Sequence, residues 1–462
     1  MSNNPQEANY WFNNFIITIS DAVVKTTRKH LEAIFMGLML CLTPSTFYSW
    51  IRAAGRQDKF QVCYYQLKEI GEHKRQMEQT QMIWTIEKLA SYLRECSQIY
   101  IVGDDTQTNH PGPKIQGADW MKDSTPQATD SKKCRGHSWV VVTLLVEHPK
   151  WGMISIPLRC RLYISKGAME KLPEEKRRRF IPKTKLLNII VGSCLKELRQ
   201  FGKPVILLID GGYANTTVMT PMRKMGVEVI TRYRKDAIFY DQFEEPRTGK
   251  RGRPRKPRRE VYDMEQCALC ECHPWQTARC SVYGKERQVE YKEFRVRSNI
   301  SAGEEILLVM SRWVPDNPLS KESKESKPPW ILLVSTNLSR TAQEVIEAYS
   351  KRFSIEETFK ELKEVEGIGK PQVRNLECTE ATFQLQLFAH VLVELWSWDQ
   401  DECMLKEFRG LADDPKRCPS HADKRKQFRF QLLERELLRI CPDRLKPEKI
   451  KTILKYLNSM GI

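Results

Sequence analysis

The spacing of apolar residues divides the chain into a helical beginning and a strand-rich middle. Apolar positions recur at helical spacing over residues 9–24 and 60–93, which predicts two long helices. Between them, the segment TPSTFYSWIRAAG predicts a short helix capped by Thr43 or Ser45 and ended near Gly55. We interpret residues 1–98 as a helical region that is either a helix-turn-helix that binds DNA ends or a plain helical bundle.

From residue 99 the pattern changes to β-strands. The segments IYIVGDD, HSWVVVTLLVEH and MISIPLRCRLYI predict three strands in succession. Strands and helices then alternate, in TKLLNIIVGSCLKELRQFG, PVILLIDGG, TTVMTPMRKMG and VEVITRY. Antiparallel strands followed by this alternation indicate an α/β fold, a mixed sheet with flanking helices.

Residues 236–336 interrupt the alternation and read as a mostly β insertion. They contain a basic run, a group of cysteines and the low-complexity segment SKESKESKPP. Helices are predicted again over residues 341–363 and 379–398, the second apolar on nearly every side and therefore buried. The pattern suggests regions at 1–98, 99–235, 236–336, 337–400 and 401–462. The last is helical and is suited either to oligomerisation or to DNA contact.

One predicted helix, over residues 349–363, carries an unusual polar stripe. At about 100° per residue, four polar side chains fall within an arc of about 60°, and they are Tyr349, Arg352, Glu356 and Lys363. An apolar stripe of Ile355, Phe359 and Leu362 runs beside it, which is typical of a helix packed on a core with one polar edge. The alternative is an ordinary ion pair on a surface helix.

The composition favours a polyanionic partner. Seventy-five Lys and Arg against 58 Asp and Glu give a formal charge of +17, so nucleic acid is the leading candidate. The longest apolar run has about half of the ~20 residues that a membrane-spanning helix needs, so we expect no membrane partner. The first ten residues are polar, which predicts no signal peptide, and the scattered 14 cysteines suit a reducing cytoplasm.

Two aspartates are predicted to follow buried strands. Asp104, with Asp105 beside it, comes at the end of IYIVGDDT, and Asp210 comes at the end of PVILLIDGGY. A carboxylate in such a place is costly unless a cation satisfies it. Hard divalent ions such as Mg²⁺ prefer these oxygen ligands, and a pair of them activates an attacking oxygen on phosphate. With Glu356, the two aspartates therefore indicate a metal site.

These residues resemble those of a large group of bacterial insertion-sequence transposases. The order Tyr349, two residues, Arg352, three residues, Glu356, six residues, Lys363 matches that group's YREK signature in full. The contexts GDDT and LLIDGGY are similar to those of its first and second catalytic aspartates. The resemblance covers residues of about 99 to 400 and implies a DDE enzyme with a ribonuclease-H-like core.

The resemblance also implies roles for individual residues. Asp104, Asp210 and Glu356 would hold two Mg²⁺ or Mn²⁺ ions, whereas Tyr349, Arg352 and Lys363 would bind DNA phosphates. Cleavage at element ends would be followed by strand transfer, through a hairpin intermediate in one branch of the group. The expected partners are double-stranded DNA ends and target DNA, bound by a homodimer in a bacterial cytoplasm at the nucleoid. Asp105 is an alternative to Asp104 as the first acid.

Two further features suggest DNA contacts. Trp330 is placed like the tryptophan on which related hairpin-forming enzymes stack a flipped base, although a core tryptophan is an equal alternative and Trp313 is a competitor. Residues 247–259 hold eight basic residues in thirteen, and Arg251 and Arg253 lie in an Arg-Gly-Arg-Pro segment that resembles an AT-hook. Phosphate contact without sequence preference is the plainer interpretation of that run.

Other readings of the sequence stay open. One CxxC half-site for zinc occurs in the group Cys267, Cys270, Cys272, His273 and Cys280. We favour thiols without metal, because no second half-site lies nearby. His137 and His148 have no evident catalytic partner and are interpreted as structural. A catalytically inactive DNA-binding descendant and a stand-alone nuclease are the alternatives to a transposase.

Overall fold

The computed structural model describes residues 7–42, 46–110, 112–122, 133–241, 261–313, 330–410, 413–440 and 446–459. Thr43, Ser45, Arg251 and Arg253 lie outside these ranges. The helices are α1 (Ala8–Ser20), α2 (Lys25–Leu40), α3 (Phe47–Ala53), α4 (Phe60–Glu72), α5 (Lys74–Lys88), α6 (Ala90–Glu95), α7 (Lys166–Glu170), α8 (Lys183–Arg199), α9 (Thr216–Lys224), α10 (Met264–Leu269), α11 (Ala342–Lys351), α12 (Ser354–Glu361), α13 (Leu376–Ser397), α14 (Glu402–Leu405), α15 (His421–Ile440) and α16 (Pro447–Ser459).

The strands are β1 (Ile99–Asn109), β2 (Asp119–Lys122), β3 (Lys133–His148), β4 (Gly152–Tyr163), β5 (Val205–Ile209), β6 (Glu228–Tyr233), β7 (Phe239–Tyr240), β8 (Val261–Tyr262), β9 (Gln276–Val282), β10 (Lys285–Ser298), β11 (Glu305–Trp313) and β12 (Ile331–Ser335). Parallel and antiparallel pairs both occur, so the predicted mixed α/β fold is confirmed. Among the described residues, no helix is long and apolar enough to cross a membrane.

The chain forms two compact units, which we call the outer-segment unit and the inner-segment unit. The outer-segment unit comprises residues 1–95, 105–182 and 356–462, and the inner-segment unit comprises residues 96–104 and 183–355. Each unit is described separately below.

The outer-segment unit is built around α13. All 22 residues of α13 are buried, which confirms the prediction from its apolar sequence, and α1, α2, α4, α5 and α15 pack against it. Phe15 of α1 meets Phe388 edge-on with the ring centroids 5.8 Å apart, and Trp139 of β3 stacks on Phe383 at 3.8 Å. The N-terminal helices therefore pack as a bundle. The short helix α3 is capped by Thr46, whose hydroxyl accepts a hydrogen bond from the Ser49 N–H at 3.1 Å.

The inner-segment unit contains most of the sheet. The first half of β1 pairs in parallel with β5, and β5 pairs in parallel with β6. From β6 the pairing becomes antiparallel, through β12 and β11 to β10. The strands predicted within residues 236–336 thus join the same sheet as the strands before them. Helix α8 precedes the buried strand β5, and α9 lies between β5 and β6 in the chain, as the alternation predicts.

Two element boundaries differ from the prediction. β1 continues past Asp104 to Asn109, so Asp104 lies inside a strand rather than at its end. The segment 349–363 is not one helix, because α11 ends at Lys351, α12 begins at Ser354 and a π-helical turn spans Leu362–Glu366. The polar residues from Tyr349 to Lys363 therefore do not lie along one continuous helix as predicted. Ile355, Phe359 and Leu362 are all buried, as expected.

Candidate active site

Asp104 and Asp210 occupy matching positions on two adjacent parallel strands of the inner-segment unit. The register of β1 with β5 runs from Ile99–Val205 to Gly103–Ile209, and each aspartate is the residue after the last pair. Side chains at matched positions of neighbouring strands point to the same face of a sheet, with their Cβ atoms about 5 Å apart. The two carboxylates predicted from sequence are therefore side by side.

The local chain explains why these positions accept an aspartate. Gly103 lies just before Asp104 on β1. A Cβ at this position would overlap the side chain of Leu187 on α8, so glycine allows the helix to pack directly on the strand. Asp210 follows β5 and caps a short 3₁₀ turn over Gly211–Tyr213, where its carboxylate accepts a hydrogen bond from the Gly212 N–H at 3.4 Å. This capping confirms that Asp210 ends a buried strand, and it leaves carboxylate lone pairs for other ligands.

Arg352 is the cation beside Asp104. One guanidinium nitrogen, Nη1, lies 3.0 Å from Asp104 Oδ2, and both side chains are largely buried. Tyr349 lies one turn earlier, with its ring centroid 5.7 Å from the Arg352 guanidinium. Burial raises the pKa of Tyr349 to about 12, to which the charge of Asp210 also contributes. Tyr349 is thus a protonated hydrogen-bond donor at neutral pH, near Asp210 and Arg352.

Asp105 points the other way. Successive side chains on a strand alternate between the faces of the sheet, so Asp105 lies on the face opposite to Asp104. Its carboxylate accepts a hydrogen bond from the Ser138 hydroxyl on β3 at 3.3 Å, within the outer-segment unit. The geometry therefore pairs Asp104, and not Asp105, with Asp210.

A family model for DDE superfamily endonucleases matches residues 20–299, which is more than half of the chain. The chain belongs to the DDE superfamily endonucleases. The matched residues include Asp104 and Asp210 but end before Tyr349, so the YREK subgroup rests on the residues themselves. No curated protein matches the chain significantly.

The remaining DDE acid of the sequence prediction lies in the outer-segment unit. Glu356 is in the first turn of α12, and its side chain is exposed. Lys363 is exposed in the π-helical turn that follows α12. The neighbouring Glu357 is exposed as a residue, but its carboxyl is partly shielded from water, and this loss of hydration raises its pKa.

Trp330 lines a cavity of the inner-segment unit in this DDE protein. The side chain is half-buried just before β12, and Lys235 Nζ lies 4.3 Å from its ring centroid. The cavity has a volume of about 790 Å³ and is also lined by Trp275, Arg312 and Cys270. Arg312 stacks over Trp275 at 4.1 Å. The alternative residue Trp313 is partly exposed, with Arg287 lying over its ring at 5.0 Å.

The cysteine group lies beside the same cavity. Cys267, Cys270, Cys272 and Cys280 are all thiols without disulfide partners, and a hydrogen bond from Cys272 lowers the pKa of the Cys270 thiol. In the described part of the chain, these cysteines are not among the side chains whose ligand atoms gather closely enough for one metal ion.

The predicted structural histidines have backbone partners in the outer-segment unit. His137 Nε2 lies 2.9 Å from the carbonyl oxygen of Gln116, and His148 Nε2 lies 3.0 Å from that of Trp398. Burial lowers the pKa of His137 to about 4. Both rings are almost fully buried, as their structural interpretation requires.

Sequence reasoning missed a second group of charged residues, in the outer-segment unit. Glu361, His390, Glu394 and His421 each bring one possible ligand atom to within 4.8 Å of the others. The available signal was the pair His390 and Glu394, which are four residues apart in the otherwise apolar stretch 387–396 of α13. Residues four positions apart lie on the same helix face. Charged side chains buried on such a face are costly unless other polar groups pair with them.

Proposed function

We propose that the chain is a DNA transposase that cleaves the ends of its own element and joins them to target DNA. The observation that carries the proposal is the register of β1 with β5, which sets Asp104 beside Asp210 in a DDE superfamily endonuclease. Two adjacent carboxylates on one sheet face form an oxygen donor set of the kind that Mg²⁺ or Mn²⁺ binds. Glu356 is the proposed third acid.

Two such ions would supply Lewis-acid stabilisation of the attacking and leaving oxygens of a phosphodiester. The chain's own side chains would position the DNA. Arg352 offers a planar fork of donors to a phosphate, Tyr349 offers a protonated phenol, and Lys363 offers a point charge. In the proposed hairpin branch, Trp330 would stack an unpaired base beside the sharply bent strand.

Arg352 also suggests how the site behaves before metal and DNA bind. Its 3.0 Å contact with Asp104 gives that carboxylate a counter-ion, so the two neighbouring aspartates repel each other less. A metal ion bound by Asp104 would balance the charge of that carboxylate, and the Arg352 guanidinium could then bind a phosphate. We therefore propose that Arg352 binds DNA in the complex, which we propose is a homodimer on paired ends.

The test uses purified full-length protein, Mg²⁺ and a linear duplex that carries the DNA flanking the coding sequence. We expect double-strand breaks and joined products, reduced by roughly 100-fold or more in Asp104→Asn, Asp210→Asn and Glu356→Gln. Glu357→Gln is the matched control, because it removes a neighbouring carboxylate on the same helix, and it should keep activity within about twofold.

The outcomes separate the three functional readings. DNA binding without any cleavage would support an inactive descendant and contradict the proposal. Cleavage that shows no preference for the flanking DNA and gives no joined product would instead support a stand-alone nuclease. Hairpin-ended products on a denaturing gel would support the hairpin branch, whereas joining from open ends alone would exclude it.

A further inference from the structure

The group of Glu361, His390, Glu394 and His421 has no place in the proposed reaction. These residues come from three helices of the outer-segment unit. Glu361 is the last residue of α12, His390 and Glu394 are one turn apart on α13, and His421 is the first residue of α15. His390, Glu394 and His421 are at most 3 % exposed, and only Glu361 reaches solvent.

Two short contacts join the group in pairs. His390 Nε2 lies 2.9 Å from Glu361 Oε2, and His421 Nδ1 lies 2.7 Å from Glu394 Oε1. An ionised carboxylate can only accept, so a proton or a metal ion has to lie between each nitrogen and its oxygen. Because all four ligand atoms lie within 4.8 Å of one another, a single ion could replace both protons.

His390 is not satisfied by protein groups alone. Its Nδ1 is buried and has no hydrogen-bond partner among the described residues. If Nε2 donates to Glu361, a lone pair on Nδ1 is left buried without a donor. If Nδ1 carries the proton instead, the lone pair of Nε2 faces an anionic oxygen. In the second tautomer, a Lewis acid bound between Nε2 and Glu361 would satisfy both the nitrogen lone pair and the carboxylate.

The other ligands already have the outer partners that orient groups in metal sites. His421 Nε2 lies 3.0 Å from Glu366 Oε1, so the nitrogen on the far side of the ring bonds a carboxylate. Glu394 Oε2 accepts a hydrogen bond from Lys424 Nζ at 2.6 Å, which leaves Oε1 directed at His421. Such second contacts fix the tautomer of a histidine ligand and the direction of a carboxylate ligand.

We propose that Glu361, His390, Glu394 and His421 bind one divalent transition-metal ion, and that this ion is Zn²⁺. Two imidazole nitrogens and two carboxylate oxygens in a buried group suit the tetrahedral coordination of Zn²⁺. Mg²⁺ is disfavoured because it prefers oxygen ligands and retains several waters. The ion would join α12, which carries Glu356, to α13 and α15, so its role would be structural.

The test keeps the proposed catalytic ions out of the measurement. Full-length Asp210→Asn/Glu356→Gln protein is incubated with excess Zn²⁺, passed through gel filtration and measured for zinc by mass spectrometry. We expect about one zinc per chain, together with the intense visible absorption of tetrahedral cobalt when Co²⁺ is added to the metal-free protein. Thermal unfolding should shift to lower temperature on adding EDTA.

Substitutions identify the ligands. Glu361→Gln keeps a hydrogen bond to His390 at a partly exposed position, so the variant should fold and melt like the EDTA-treated parent while binding less than about a tenth of the zinc. His390→Ala should also lose zinc. His73→Gln, in another histidine–glutamate pair of the same unit, is the matched control and should keep the full zinc content.

The competing structure is a closed ion-pair network in which His421 is doubly protonated between Glu366 and Glu394. In that case zinc would be absent after gel filtration, and EDTA would not change the melting temperature. Equal zinc content in Glu361→Gln and its parent would likewise overturn the assignment. Loss of DNA cleavage in the otherwise wild-type protein would bear on the proposed function and not on this site.

Discussion

At the scale of single residues, Arg352 contacts one anionic group and is proposed to bind a second. Its guanidinium lies 3.0 Å from Asp104, the carboxylate that we assign to metal, and the same group is our proposed ligand for a DNA phosphate. Removing it should therefore affect metal binding and DNA binding in opposite directions. An ion pair without a role in DNA binding would leave the affinity for DNA unchanged.

The first prediction concerns Arg352→Ala. We expect the affinity for element ends to fall about tenfold, which is typical of losing a charge-assisted hydrogen bond. The Mg²⁺ concentration for half-maximal cleavage should fall too, because the metal no longer displaces a cation from Asp104. Gel-shift titrations and cleavage assays over a range of Mg²⁺ measure the two effects.

Arg234→Ala is the control for that experiment. Arg234 forms an exposed ion pair with Asp236 in the same unit, so its removal takes away an equal charge without touching Asp104. Unchanged end binding and unchanged metal dependence in Arg352→Ala would remove this residue from the site.

Sequence predicted some of these residue positions and not others. Asp210 was found because a buried apolar run followed by a glycine pair marks a strand end. The partnership of Asp104 with Arg352 was not found, because the two residues are 248 positions apart and no local pattern encodes such a contact. The same holds for His421, whose ligand partners lie on α12 and α13.

At the scale of elements, strand β1 is longer than its sequence predicts, and the predicted helix over residues 349–363 is interrupted. The polar residues after Asp104 suggested a loop, but Thr106 and Thr108 are buried and Trp139 Nε1 donates to the Thr108 hydroxyl at 3.1 Å. Pairing beside β3 therefore carries β1 to Asn109. Burial against neighbouring strands outweighs the weak strand preference of such residues.

The break between α11 and α12 has a local cause. The hydroxyl of Ser350 donates to the carbonyl of Glu347 at 2.7 Å, and that of Ser354 donates to the carbonyl of Lys351 at 2.8 Å. Serines that bond backbone three residues earlier compete with the helical ladder. The Phe353 N–H bonds the Ser350 carbonyl in a tighter turn, and apolar spacing continues across the break, so periodicity alone did not reveal it.

A second prediction concerns two buried histidines, one on β3 and one directly after β1. Burial lowers the pKa of both His110 and His137 to about 4 from the usual 6.5. The unfolded chain thus binds protons more readily than the folded chain between these values. Each ring contributes stability that is complete above about pH 6.5 and is lost as pH falls through about 4, by up to about 3 kcal/mol.

His137→Gln tests this dependence, since an amide can still bond the Gln116 carbonyl. The variant should lose less unfolding free energy than the parent between about pH 7 and pH 4.5, as measured by urea denaturation followed by circular dichroism. His273→Gln, in the inner-segment unit, serves as the control. Parallel stability curves for parent and His137→Gln would contradict the prediction.

At the scale of the whole molecule, the net charge of +17 predicted a polyanionic partner, and membership of the DDE superfamily endonucleases agrees with DNA as that partner. The charge is unevenly distributed along the chain. Residues 247–259, which lie outside the described part of the structure, carry eight of the basic residues. We expect them to supply phosphate contacts to DNA.

The final prediction is that a neutral Gly-Ser segment of equal length in place of residues 247–259 weakens DNA binding and flattens its salt dependence. Each lost phosphate contact should reduce the slope of log affinity against log salt by about 0.9. Fluorescence anisotropy at several salt concentrations measures the slope. Replacing residues 320–329, a segment of mixed charge, should leave it unaltered.

The division of the chain into segments also fixes an order of events during synthesis. Every residue of the inner-segment unit has been made by residue 355, whereas the outer-segment unit waits for α13, which starts at residue 376. Until then, α1, α2, α4 and α5 have no central helix on which to bury their apolar faces. A growing or prematurely ended chain therefore exposes these helices to chaperones and proteases. Residues 376–397 therefore have to be synthesised before the helices within residues 8–88 can bury their apolar faces.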